Sequence, residues 1–204
     1  VLSKKTIYVS DPKRLYLYTN GISTRVNSLL NDYRIPRTLI NKGDIVIDVG
    51  ANNGELGVWI QSRGATYMGF EPDPNAFKAL QMNVGTTSAY QIAINSINGI
   101  QEFYLNTENA DSSLFKPNFY DEKIIVKTQS LDSVLLSMGA LKPIKLLKIE
   151  HRGLHRLIII LTILCFPISI EVAIFFEELY LQRYSWHSYN FDNLPKLYFE
   201  FFNR

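Results

Sequence analysis

Residues that build covalent or metal frameworks are scarce in this sequence, which has one cysteine and three histidines in 204 positions. A single thiol, Cys165, cannot close an internal disulfide. The chain therefore reads as a cytoplasmic product of a reducing compartment, with Cys165 packed in an apolar run. His151, His155 and His187 stand at no metal-ligand spacing with an acid, so no metal is expected. An excess of one charge is missing too. Lys and Arg total 21 against 19 acids, a net charge of +2, which creates no field calling for nucleic acid or an anionic membrane. A small-molecule partner is expected instead. The opening Val1-Leu-Ser-Lys-Lys lacks the apolar centre of a signal peptide. The uncharged stretch 157–170 is too short for a membrane span and contains Pro167.

What the sequence does contain is apolar residue in quantity, 47% of the chain, enough for one sizeable core. Residues 1–42 are polar and aromatic, and Leu29, Leu30, Tyr33 and Ile35 recur as on the buried side of a helix that Pro36 would end. This is a helical lead-in. From residue 43 to 204 the reading is one domain. Its apolar runs are Ile45–Val49, Tyr67–Phe70, Tyr90–Ile94, Glu102–Leu105, Ile124–Thr128 and Ile144–Ile149. Runs of this length suit buried parallel strands. Helices are expected over Glu55–Ser62 and Pro74–Asn83, the second capped by Asp73 with Pro74 at its first position. The alternation predicts a doubly wound, mostly parallel α/β sheet.

The stretch Asp44–Ile60, "DIVIDVGANNGELGVWI", is then strand, sharp turn and helix, the place where doubly wound sheets bind ligands. Gly50 and Gly54 lack between them the middle glycine that lets backbone close on a pyrophosphate, which disfavours a dinucleotide. A cofactor with adenosine but no phosphate fits better. Glu71 in "MGFEPDP", seventeen positions beyond Gly54, has the spacing of a ribose-binding carboxylate. S-adenosyl-L-methionine meets these demands, and its sulfonium suits an acidic, aromatic-lined site. The bland alternative is a tight turn at Gly50 and a helix-capping role for Glu71.

In order, "GDIVIDVGANNGELG", "GFEPDP", "AINSINGIQEFYL", "DSSL", "QSLDSVL" and "IKLLKIE" resemble the motif series of FkbM-type S-adenosylmethionine-dependent methyltransferases over residues 43–150. The resemblance implies a Rossmann-like class I methyltransferase fold and O-methylation of a sugar or a hydroxyl-bearing natural-product precursor. It also implies that Asp48, Gly50, Asn52 and Gly54 cradle the methionine part, that Glu71 holds the ribose, and that Asn95 lies near the adenine.

Lys148 and Glu150 are two apart on an expected strand and share one side of it. Both are candidate catalytic residues. Glu150 would accept the proton of the acceptor hydroxyl or hold the sugar by hydrogen bonds. The alternative for each is an ordinary strand-end ion pair. After Glu150 the resemblance fails. Over residues 151–167 the chain reads "HRGLHRLIIILTILCFP" where the family carries an acidic Glu-Gly segment and an amphipathic helix. A local change of reading frame at His151–Leu154 would explain the departure. Two rival functions stay open: a dinucleotide-dependent oxidoreductase, and a degenerate member that binds cofactor without turnover.

Overall fold

The structure, a computed structural model, describes residues 6–106, 112–137 and 144–149. A 3-10 helix at Pro12–Tyr18 opens on Asp11, whose side chain accepts from the Lys13 N–H. Helix α1, Gly21–Asp32, follows. It buries Val26 and Leu30, one turn apart, and ends at Asp32, ahead of Pro36, so that of the expected face Leu29 and Leu30 lie on the helix, Tyr33 caps it, and Ile35 packs into the same core from beyond its end.

Strand β1, Ile45–Val49, is central. Helix α2, Glu55–Ser62, carries the chain to β2, Thr66–Phe70, and helix α3, Pro74–Val84, carries it to β3, Ala89–Tyr90. Strand β7, Leu146–Ile149, returns to the other side of β1. The order β3-β2-β1-β7 is parallel throughout. The chain thus runs outward from β1 on one side and comes back on the other, which leaves a crevice at the carboxyl end of β1. The fold is the expected α/β class. Asp73 caps α3 as anticipated, its carboxylate accepting from the Asn75 and Ala76 N–H groups.

Two differences from the sequence reading stand out. The run Tyr90–Ile94 is not one strand. The Ile92 N–H turns back onto the Tyr90 carbonyl at 3.0 Å, and the chain leaves the first sheet to enter a second one as β4, Ala93–Ile94. That second sheet has the order β4-β6-β5, with β5 at Gly99–Leu105 and β6 at Glu122–Gln129. Strands β5 and β6 are antiparallel, from Gly99 opposite Thr128 to Leu105 opposite Glu122. They are also half exposed, with Ile100 and Ile125 facing outward. An antiparallel pair can leave one face bare because it needs no crossover helix to cover it. Helix α4, Leu131–Ser137, packs Leu131, Val134 and Leu135 into the core formed by Ile47, Val49, Phe70 and Ile94.

Gly54 sets the distance between α2 and α3. It precedes α2 with φ +81°, and a Cβ there would lie 2.6 Å from Leu80 Cδ1 and 3.2 Å from Val84 Cγ1. Both strain and overlap oppose any side chain. Gly54→Ala is expected to destabilise the fold by about 1–3 kcal/mol. Urea denaturation measures it, and an unchanged midpoint would mean that the two helices separate freely.

Candidate functional site

Strands β1 and β7 pair Asp48 directly opposite Lys148, and both side chains are buried, at 2% and 4% exposure. The Lys148 ammonium lies 2.9 Å from Asp48 Oδ1 and donates to the Gly50 carbonyl at 2.8 Å. It also sits over the Tyr33 ring, 4.9 Å from the centroid. The other Asp48 oxygen accepts from the Tyr67 hydroxyl at 2.7 Å. Burial, then the Asp48 charge, push the Tyr67 hydroxyl well above its ordinary range, so it stays a donor. This buried set ties the end of β1 to its neighbours on both sides.

Beyond it the backbone turns sharply. Gly50 has φ +74° and Asn52 has φ +49°, a left-handed conformation that asparagine accepts more readily than bulkier residues. The N–H groups of Gly50 and Ala51 both donate to the Phe70 carbonyl at the end of β2. The Asn52 N–H donates to Glu71 Oε2 at 2.8 Å, and the Asp73 N–H to Glu71 Oε1 at 3.0 Å. Each carboxylate oxygen of Glu71 therefore holds one backbone donor and keeps acceptor capacity for another group. Glu71 is pushed up to about 7, chiefly by burial. The two backbone donors and the Lys148 charge pull against that shift, and the Asp73 charge adds to it.

Gly50, Asn52 and Glu71 line a cavity of about 290 Å³, at the lower edge of the range for small-molecule sites, about 300–1,000 Å³. Ile92, Ala93, Ile94 and Phe103 give it an apolar side, and Glu71, Asp73, Asn75 and Asn106 a polar one. A carboxylate with spare acceptor capacity beside an apolar wall can take a vicinal diol next to a flat ring. Asp48 and Lys148 lie behind this surface and act on it through Gly50.

The remaining wall comes from the lead-in. Ser10, Asp11 and Arg14 line the cavity, and none of them was singled out in the sequence. The Ser10 N–H donates to Asn53 Oδ1, Arg14 Nη1 to Asn52 Oδ1, and Asn53 Nδ2 to the Tyr18 hydroxyl. Tyr18 in turn donates to Glu55 Oε1 at 2.5 Å, and the Arg25 guanidinium lies 3.6 Å from the same oxygen. Asn83 joins the set by donating from Nδ2 to the Asn53 carbonyl at 2.7 Å, and it contacts Tyr8 with both ends of its amide. No spacing relates Arg14 to an asparagine 38 positions later, so sequence alone offers no signal for this wall.

Of the other expected residues, Gly54 faces α3 and lies off the cavity lining. Asn95 follows β4 directly. Its Nδ2 donates to Gln101 and its Oδ1 accepts from the Ser96 N–H, while the three residues before it line the cavity. Glu150, the three histidines and Cys165 lie outside the described residues. Among the described residues no cluster of three His, Cys, Asp or Glu is placed to hold a metal, and no helix is long and apolar enough to cross a membrane.

The family model described as the methyltransferase FkbM domain matches residues 48–150, about half of the chain. The match ends at Glu150, where the motif series in the sequence also ends. Searches of curated proteins and of solved structures return no match.

Proposed function

The chain belongs to the FkbM methyltransferase family, and from that premise we propose that it moves a methyl group from S-adenosyl-L-methionine to a hydroxyl of a glycan or natural-product precursor. The observation that carries the cofactor reading is Glu71. Its carboxylate is fixed by the N–H groups of Asn52 and Asp73 and faces a cavity with an apolar side at Ile92–Ile94. It would accept the two ribose hydroxyls, with the adenine against the isoleucines and Asn95 at its rim. Gly50 and Asn52 would follow the methionine part, with Asp48 and Gly54 holding the turn in shape.

When bound, the cofactor supplies an electrophilic methyl group on a positive sulfonium. What remains for the protein is mostly alignment of the acceptor oxygen with that methyl. We assign Glu150 to the acceptor side, as the base for the hydroxyl proton or a hydrogen-bond partner of the sugar. Lys148 we assign as a positioning residue, since its ammonium is already engaged by Asp48 and the Gly50 carbonyl. We take residues 43–204 as the methyltransferase domain, with residues 1–42 as a lead-in that contributes one wall of the site.

Calorimetric titration of the purified chain with S-adenosylmethionine and, separately, with NADH tests the reading. Binding of the first with no detectable binding of the second is expected. Tight binding of the dinucleotide alone would reverse the assignment. Release of S-adenosylhomocysteine in the presence of a hydroxylated acceptor panel then separates an active enzyme from a cofactor-binding relative without turnover.

A further inference from the structure

Arg14 is 6% exposed, lies on the cavity wall and donates from Nη1 to Asn52 Oδ1 at 2.8 Å. Among the described residues no carboxylate lies within ion-pair distance of it. A guanidinium carries five N–H donors and keeps its charge at any physiological pH. A neutral amide engages one nitrogen and leaves the guanidinium in a buried place without a direct ion-pair partner, an arrangement that burial disfavours. The cavity is where a compensating anion can reach it.

We propose that Arg14 binds the carboxylate of the amino-acid tail of S-adenosylmethionine, an inference that rests on the cofactor reading above. Asn52 sets the scale. Its backbone N–H is on Glu71 and its side-chain oxygen is on Arg14, so the two charged groups lie at opposite ends of one asparagine. A ligand with sugar hydroxyls at one end and an amino-acid carboxylate at the other spans such a gap. The sign of the surrounding charge selects further. Asp11, Glu71 and Asp73 line the same cavity and would repel a phosphate. A zwitterionic tail instead offers its ammonium to an acid and its carboxylate to the fork of Arg14, a bidentate geometry that lysine does not reproduce.

The test is calorimetry with two ligands, S-adenosylmethionine and 5′-methylthioadenosine, which keeps the adenosine and sulfur but has no amino-acid tail. Arg14→Met is expected to weaken S-adenosylmethionine by about 10- to 50-fold and to leave 5′-methylthioadenosine within about twofold of the unaltered chain. Arg14→Lys should give a smaller loss with the same selectivity, and it carries the test if Arg14→Met does not fold by circular dichroism. Equal losses for both ligands would overturn the proposal, because Arg14 would then only hold Asn52 in place. No loss for either would overturn it as well. If the unaltered chain binds neither ligand, the cofactor reading itself falls and takes this inference with it. Tail-dependent binding by the unaltered chain that survives Arg14→Met would overturn the role of Arg14 while leaving the cofactor reading standing.

Discussion

Lys148→Met should destabilise the folded chain by about 3–5 kcal/mol. The substitution keeps length and apolar bulk but removes the ammonium that lies 2.9 Å from Asp48 in the middle of the parallel sheet. Asp48 is 2% exposed, so its carboxylate would remain in a low-dielectric site without that counter-charge. Removal of one partner of a buried ion pair is far more damaging than replacement of both. Asp48→Asn combined with Lys148→Met is therefore expected to recover a large part of the loss. The same ammonium fixes the Gly50 carbonyl, so the single variant should also loosen the turn that borders the cavity. Urea denaturation of the two single variants and the double variant gives the coupling directly. A loss under about 1 kcal/mol for Lys148→Met would show that the pair is dispensable to the fold.

The second large effect concerns Glu71 and runs in opposite directions for stability and for binding. Its folded pKa of about 7 stands above the ordinary 4.5, so the fold disfavours the ionised form. Between those values the folded state holds more protons than the unfolded state, and stability falls as pH rises. The contribution is fully present below about pH 4.5 and is lost through about pH 7, an effect on the order of 3 kcal/mol. Glu71→Gln should flatten that part of the pH–stability curve. In the proposed complex ribose hydroxyls would donate to the ionised carboxylate, so affinity for S-adenosylmethionine should rise with pH through the same window and level off above it. Glu71→Ala should weaken binding by about 1–3 kcal/mol at high pH. Calorimetry in buffers of different ionisation enthalpy should detect a proton released on binding near pH 6.5 in the unaltered chain and none in Glu71→Gln. Affinity independent of pH would exclude Glu71 from contact with the ligand.

Much of this arrangement is legible in the sequence. The bounds of β1 and α2, the cap at Asp73 and the position of Glu71 at the end of β2 all follow from local signals: apolar runs, a proline after an acid, and glycines at a turn. The split of Tyr90–Ile94 between two sheets was not legible, because an apolar run without glycine or proline gives no sign that Ile92 will fold back onto Tyr90. The antiparallel pairing of β5 and β6 escaped for a related reason. The run Ile124–Thr128 is apolar enough to pass for a buried strand, and the outward face of Ile125 depends on what fails to cover it. For Lys148 the sequence leaves both a catalytic role and a strand-end ion pair open, and strand register sets its ammonium against Asp48. Arg14 could not be read at all, since its partner is defined by the docking of a distant segment.

The stitching of the lead-in to the body of the fold also bears on the order in which the chain acquires its structure. Tyr8 meets Asn83 across 75 positions, and Ser10 meets Asn53 across 43. These segments leave the ribosome before the groups they bind, and contacts of such separation close slowly. Strands β1 and β2 with the helix between them can assemble from neighbours alone. Folding on the ribosome should therefore build β1, α2 and β2 before the wall that carries Arg14, with β7 joining β1 later still, and a ligand present at the first stage would meet an open crevice rather than a finished pocket.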